Sequence, residues 1–332
     1  MAWILCRRIL VLSLTPLWIP FFFICLAFNT GVELALERGQ SDIAAALLVW
    51  AAIVFFVRGQ YGLSTFLCVA STSIKGYAVL LAIGIVALAF DRGRWKTPLL
   101  AAGIAIALVV VPAGHLLGES ARAIAFRKDM FWAVWYNHSF SNAAYTLAPS
   151  AKERGRHIIT LFALAVTVAA WVQARRTQSR GRPEAAALWL VAFGVASLGT
   201  MIGYSALSVS YNLIMVLPGV VVLVVCQRRL DTATRPAPWF AHPLGAGLLA
   251  STFMLFSYRL GGSGPPLNGT GLASSAFGLI LILVILAVVL ARAAILRDFS
   301  QETSKALLEG AAAAGHPTLA PSITPSAGSE ER

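Results

Sequence analysis

Charge is scarce in this sequence. Only 12% of its 332 residues are charged, against 58% hydrophobic, and the mean hydropathy is +0.77. That shortage excludes an ordinary water-soluble domain, because a single core cannot hide so much apolar surface. Acidic residues are scarcer still, 14 against 26 Lys and Arg, for a net charge of +12. The excess does not indicate nucleic acid binding. The basic residues sit in short clusters between apolar runs, as orientation signals do in membrane proteins. Cysteine is rare: Cys6, Cys25, Cys68 and Cys226 form no CxxC or CxxxC pair. They read as small core residues, not as disulfides or metal ligands. There is no HExxH and no His-Cys cluster, so neither a metal nor a cofactor is expected. Internal repeats and a soluble domain are also missing. The first apolar run follows Arg7 and Arg8, yet it is long, contains Pro16 and Pro20, and lacks a small-residue cleavage site. It reads as a retained helix and not as a signal peptide.

What the sequence does contain is apolar segments, at 9–28, 43–57, 61–73, 76–90, 97–116, 157–174, 185–203, 207–226, 240–259 and 271–296. Their even composition favours helices over the weak alternation of a barrel. The expected fold is all-α: a polytopic integral membrane protein with about ten transmembrane or half-membrane helices. Residues 1–296 form the membrane domain. Residues 297–332, including "EGAAAAGHPTLAPSITPSAGSEER", read as a disordered cytoplasmic tail. The connectors "DRGRWK" (91–96), "RRTQSRGR" (175–182) and "QRRLDTATRPAP" (227–238) are short and basic, whereas "NTGVELALERGQSD" (29–42) and "GGSGPPLNG" (261–269) are not. Alternating the sides puts most Lys and Arg with the N-terminus, the connector 117–156 being the exception. Both termini are therefore expected in the cytoplasm.

One lysine needs an explanation. Lys75 interrupts an apolar run and follows Ser71, Thr72 and Ser73. Arg58 and Asp91 both fall on the cytoplasmic side, and the chain between them is too short for two crossings. The spacing predicts a hairpin of two short helices turning near Ser73–Gly76, with Lys75 at the outer tip. A charge at the bilayer centre costs on the order of 2.5–3.5 kcal/mol. The turn would then exist to hold an ammonium and hydroxyls in a cavity open to the outside. The competing reading is a snorkelling lysine.

Other polar features fall on the same side. "FRKDMFWAVWYNHSFSNAAYTL" (126–147) mixes Arg127, Lys128 and Asp129 with Trp132, Trp135 and Tyr136, then offers Asn137, His138, Ser139 and Asn142. Rings stack on the apolar face of a sugar and amides bond its hydroxyls. The aromatics alone read equally as interfacial anchors. Ser205, Ser208, Ser210, Tyr211 and Asn212 mark a short outer turn, or else bond between helices. A general base would have to come from Glu33, Glu37, Asp42, Glu119, Asp129 or Glu153.

Three stretches together resemble glycosyltransferase family 87. "LERGQSDIAAALLVWAAIVFFVRGQYGLSTFLCVASTSIKGYAVLL" (36–81) resembles its Gly-Gln-x-Asn/Asp helix start and the small-residue helix ending in Lys. "WYNHSFSNAAY" (135–145) resembles its Asn-Gln-Ser loop, and "SALSVSYNLIMVLPGVVVLV" (205–224) its Ser-x-x-Ser-Trp-x-His-x-x-x-x-x-Pro helix. The resemblance covers about residues 30–225 and implies a GT-C-like membrane fold. It also implies a mannosyltransferase-like activity that moves a sugar from a polyprenyl-phosphate donor to an extracytoplasmic glycan or lipid. Lys75, with Arg127 or Lys128, would bind the donor phosphate. Gln40, Asp42, Asn137, His138, Ser139, Tyr211 and Asn212 would contact sugar or acceptor. The partners implied are that donor, a glycan or glycolipid acceptor and the bilayer of a bacterial plasma membrane. The departures are Gly76-Tyr77 where a proline is usual, His138 for Gln, and Tyr211-Asn212 near the Trp and His positions. The family's catalytic aspartate lies on a first external loop that has no counterpart here. A truncated or inactive relative is therefore expected, and the catalytic residue stays unassigned. The rival readings are a lipid-linked sugar transporter or flippase and a non-catalytic membrane subunit.

Overall fold

The structure, a computed structural model, describes residues 41–91, 93–111, 139–180, 183–205, 210–230 and 278–291, apart from Arg92. Among these residues there are helices and turns and no strand, so the chain is all-α there. Those up to Leu290 fall in one compact unit, Met1–Leu290. The helices expected over 9–28 and 240–259 and the tail at 297–332 lie outside the described residues.

Helix α1, Asp42–Val57, ends where Gly59 takes a positive φ of 77° and its N–H bonds the Phe56 carbonyl. A left-handed residue there stops the helix at no steric cost only if it is glycine. The chain reverses through Gln60 into α2, Tyr61–Ile74. Two serines fix the register of this antiparallel pair. Ser64 Oγ donates to the Ala52 carbonyl (2.7 Å), and Ser71 Oγ donates to the Ala45 carbonyl (2.9 Å). Both hydroxyls are buried, and in an apolar surrounding each must find an acceptor.

After α2 the backbone of Lys75 is extended (φ −145°, ψ 115°). A 3₁₀ turn, Gly76–Ala78, then leads into α3, Val79–Phe90. The pair is a hairpin, as the spacing predicts. Gly62, at the start of α2, lies against Thr97, and Phe90, at the end of α3, stacks on Trp95 with ring centroids 5.9 Å apart. Both free ends therefore meet at one end of the bundle, called the base here, and Lys75 stands at the other, the tip.

Helix α4, Lys96–Ala105, carries Pro98 in its first turn, where no helical hydrogen bond is lost, and continues as a π-helical stretch, Ile106–Val110. Helix α5, Phe140–Leu147, is short. Helices α6, Lys152–Ser179, and α7, Pro183–Tyr204, form a long hairpin joined at the base. The segment expected as a helix over 207–226 is divided. Ser210–Met215 is a 3₁₀ turn, and α8, Leu217–Leu230, begins just before Pro218. Proline is well placed in a first helical turn and badly placed in a helix interior, which is why the helix starts there. Helix α9 is Gly278–Ala291.

The core is built around α7. Phe193 fills the notch at Gly84 of α3, Ile53 and Trp50 of α1 lie on Gly194, and Phe140 of α5 lies on Gly203. Absent side chains let helices approach closely, the usual route to helix packing in lipid. Thr167 of α6 gives its proton to the Ala163 carbonyl (2.8 Å), so Thr200 of α7 must be the donor in the 3.0 Å Thr167–Thr200 bond.

Two described helices, Pro149–Ser179 and Ala185–Tyr204, are long and apolar enough to cross a membrane, and five shorter apolar helices accompany them. They differ in surroundings: the apolar window of the second is 83% buried, that of the first only 28%. Ile158, Leu161 and Val168 of α6 face outward, as do Leu100 of α4 and Leu108 of the π-helical stretch.

Candidate functional site

Lys75 and Asp42 meet at the tip, with Nζ 3.4 Å from Oδ2. Each stands where its helix favours its charge. Asp42 is in the first turn of α1, at the positive end of the helix dipole. Lys75 closes α2, at the negative end. The serine register brings them together: Ser71 sits on Ala45, so the ends of α1 and α2 are level. The Asp42 side chain is wholly buried, whereas 26% of the Lys75 side chain is exposed. The arrangement is an ammonium that reaches the surface above a sealed carboxylate.

The hydroxyls expected to line a cavity with Lys75 have other partners. Ser71 bonds α1, Thr72 Oγ1 donates to the Cys68 carbonyl (2.9 Å), and Ser73 Oγ donates to the Ala70 carbonyl (2.7 Å). Ser71 is thereby committed to the contact with α1, and Thr72 and Ser73 to carbonyls of their own helix. For Thr72 and Ser73 the reason is local: a hydroxyl near a helix end readily finds a carbonyl of the preceding turn.

A second group lies at the same end of the bundle. Ser139, fully buried, caps α5 by accepting the N–H of Asn142 (3.3 Å), which is itself buried. Serine in extended conformation before a helix is a favoured N-cap. As a candidate sugar ligand it is thus occupied in shaping α5. Helix α5 rests on the start of α6, where Ala144 meets Gly155, and on the end of α7 through Phe140. Arg156 pairs with Glu153 (3.5 Å) and lies 5.9 Å above the Tyr204 ring. Lys152 lies 5.9 Å above the Tyr145 ring. The Arg156–Tyr204 contact was not anticipated, because the arginine counts as one more connector charge until α6 and α7 are packed side by side.

Tyr211 and Asn212 belong to the 3₁₀ turn that precedes α8. Gln40, Arg127, Lys128, Asn137 and His138 lie outside the described residues. Of the expected constellation the structure thus brings Asp42 to Lys75 and makes Ser139 a cap. Among the described residues no group of three or more His, Cys, Asp or Glu could hold a metal ion. Comparisons with protein-family models, with curated proteins and with solved structures find no match to this chain.

Proposed function

We propose that the chain is a polytopic protein of a bacterial plasma membrane with the Lys75 tip facing outward. The surroundings of α6 support this. The apolar window of α6 packs one side on the core yet is only 28% buried, and an apolar surface of that extent on a helix belongs in lipid. The 28 residues of α6 span about 42 Å, enough for the hydrocarbon layer and both interfaces. The charges agree with the orientation. The base carries Arg58, Arg94, Lys96, Arg175, Arg176 and Arg180, with Asp91 paired to Arg175, as a cytoplasmic face would. Ser150 and Ser179, at opposite ends of α6, are both exposed. An impermeant thiol reagent added to intact cells should label a cysteine at Ser150 and leave one at Ser179 unlabelled. The reverse pattern would invert the topology and remove the site from the outer face.

The function we infer is recognition of a polyprenyl-phosphate sugar at the outer face, in a GT-C-like glycosyltransferase or in a non-catalytic subunit of one. Lys75 carries this reading: it is a partly exposed ammonium at the end of a short hairpin, and an ammonium bonds phosphate strongly. The subunit reading has its own support. Of the described carboxylates at the tip, Asp42 is sealed beneath Lys75 and Glu153 pairs with Arg156, so neither is poised to take a proton from an acceptor hydroxyl. The purified chain should bind labelled polyprenyl-phosphate mannose saturably, with polyprenyl phosphate competing. Mannose transfer to an added glycan would support the enzyme, and binding without transfer the subunit. No saturable binding would sink both.

A further inference from the structure

A cleft along α3, from the base of the bundle towards the tip, is a feature that the sugar site does not use. Its volume is about 650 Å³. Val69 and Thr72 of α2, Ala82 and Val86 of α3, Ile106 beyond α4, and Trp171 of α6 line it. Val79 and Phe90, the two ends of α3, both border it. It therefore follows a helix about 18 Å long, close to half the ~30 Å hydrocarbon thickness, the depth of one leaflet. Its walls are almost wholly apolar.

The rim at the base is different. Phe90 stacks on Trp95, and Lys96 Nζ stands 5.9 Å over the Trp95 ring. On the other side Arg175 lies 5.7 Å over Trp171 and is clamped to Asp91, with Nε–Oδ2 2.7 Å and Nη2–Oδ1 2.8 Å. Arg175 is thus paired with Asp91, and Arg94 and Lys96, both exposed, are the described cations of the loop that follows Phe90. An apolar slot of leaflet depth, with Trp171 in its wall and, next to its Phe90 end, a loop that carries Trp95 and two exposed cations, matches an anionic lipid: one chain in the slot, glycerol at the aromatic rim, phosphate at the cations.

We propose that this cleft is a binding site for an anionic phospholipid of the cytoplasmic leaflet, with Arg94 and Lys96 as its phosphate ligands. The inference rests on the membrane reading above and not on the sugar donor, whose phosphate would sit at Lys75, at the other end of α3 from Arg94 and Lys96.

Phosphatidylglycerol with brominated acyl chains provides the test, because bromine quenches a tryptophan that it touches. The full chain is reconstituted in phosphatidylcholine vesicles with brominated phosphatidylglycerol or, as the comparison, brominated phosphatidylcholine. The Trp171 signal is the difference between wild type and Trp171→Phe. Phosphatidylglycerol should quench it preferentially. Arg94→Gln and Lys96→Gln, at exposed positions that should not disturb folding, should each lower the preference roughly fivefold. Ala87→Phe, which fills the slot, should abolish the quenching while helix content is kept. If that variant fails to fold, the two glutamine variants still decide. Equal quenching by both lipids, or a preference untouched by the glutamine variants, would overturn the proposal. So would displacement of the brominated lipid by polyprenyl phosphate, since the slot would then belong to the donor. A chain that does not enter vesicles at all would instead refute the membrane reading.

Discussion

Lys75→Ala should weaken binding of polyprenyl-phosphate mannose by roughly 10- to 100-fold, the worth of a hydrogen bond to a charged group, and Asp42→Asn should strengthen it. The opposite signs follow from the ion pair. A phosphate at Lys75 must share the ammonium with a carboxylate 3.4 Å away. Removing that negative charge frees the cation and relieves repulsion of the ligand. Lys75→Arg should keep part of the affinity, since both cations pair with phosphate but differ in reach. Stability should follow a different order. Lys75→Ala strands a fully buried carboxylate. Losing one partner of a buried pair costs about 3–5 kcal/mol, and the partial exposure of Lys75 puts this case at the lower end. Asp42→Asn leaves an ammonium that can extend to the surface, a smaller loss. The double variant, Lys75→Ala with Asp42→Asn, should recover stability without recovering binding. Thermal unfolding in detergent and binding of labelled donor would together separate the roles. If the double variant binds the donor as wild type does, Lys75 is only a snorkelling partner of Asp42.

The second large effect is expected at Trp50, far from any proposed ligand. Its side chain is fully buried, its indole occupies the notch at Gly219 of α8, and its Nε1 donates to the Met215 carbonyl at 2.7 Å. Trp50→Ala should destabilise the fold by about 3–5 kcal/mol through the cavity it leaves, with about 1 kcal/mol more from the abandoned carbonyl. On the membrane reading proposed above, the loss is one of packing and not of transfer from water. Trp50→Phe should recover most of the packing and lose the hydrogen bond. Leu47→Ala, on the half-exposed face of the same helix, is the comparison and should cost much less. Equal thermal shifts for Trp50→Ala and Leu47→Ala would mean that α1 is not held by its contact with α8.

Much of the helical outline was open to sequence reasoning. The apolar runs at 43–57 and 61–73 match α1 and α2 closely, because an apolar segment bounded by Arg58-Gly59 can end in few ways. The hairpin near Ser73–Gly76 followed from length alone: about 30 residues of helix cannot cross a bilayer and return. The divided segment at 207–226 was partly legible, since Pro218 marks a helix start, but nothing local distinguishes the 3₁₀ turn before it.

The partners of the polar side chains were not open to it. Hydropathy records that a residue is apolar and is silent on whether its neighbour will be lipid or protein. So α6 and α7 look alike in sequence although one is mostly exposed and the other is the centre of the core. The serine triplet invited a cavity, and only the packing of α1 on α2 assigned Ser71 to Ala45 and Asp42 to Lys75. Trp50 and Met215 are 165 residues apart. Helix formation depends on residues within a turn or two of each other, so sequence alone could determine it. Which ammonium meets which carboxylate depends on the register of whole helices, which arises only when the notches and side chains of several segments interlock.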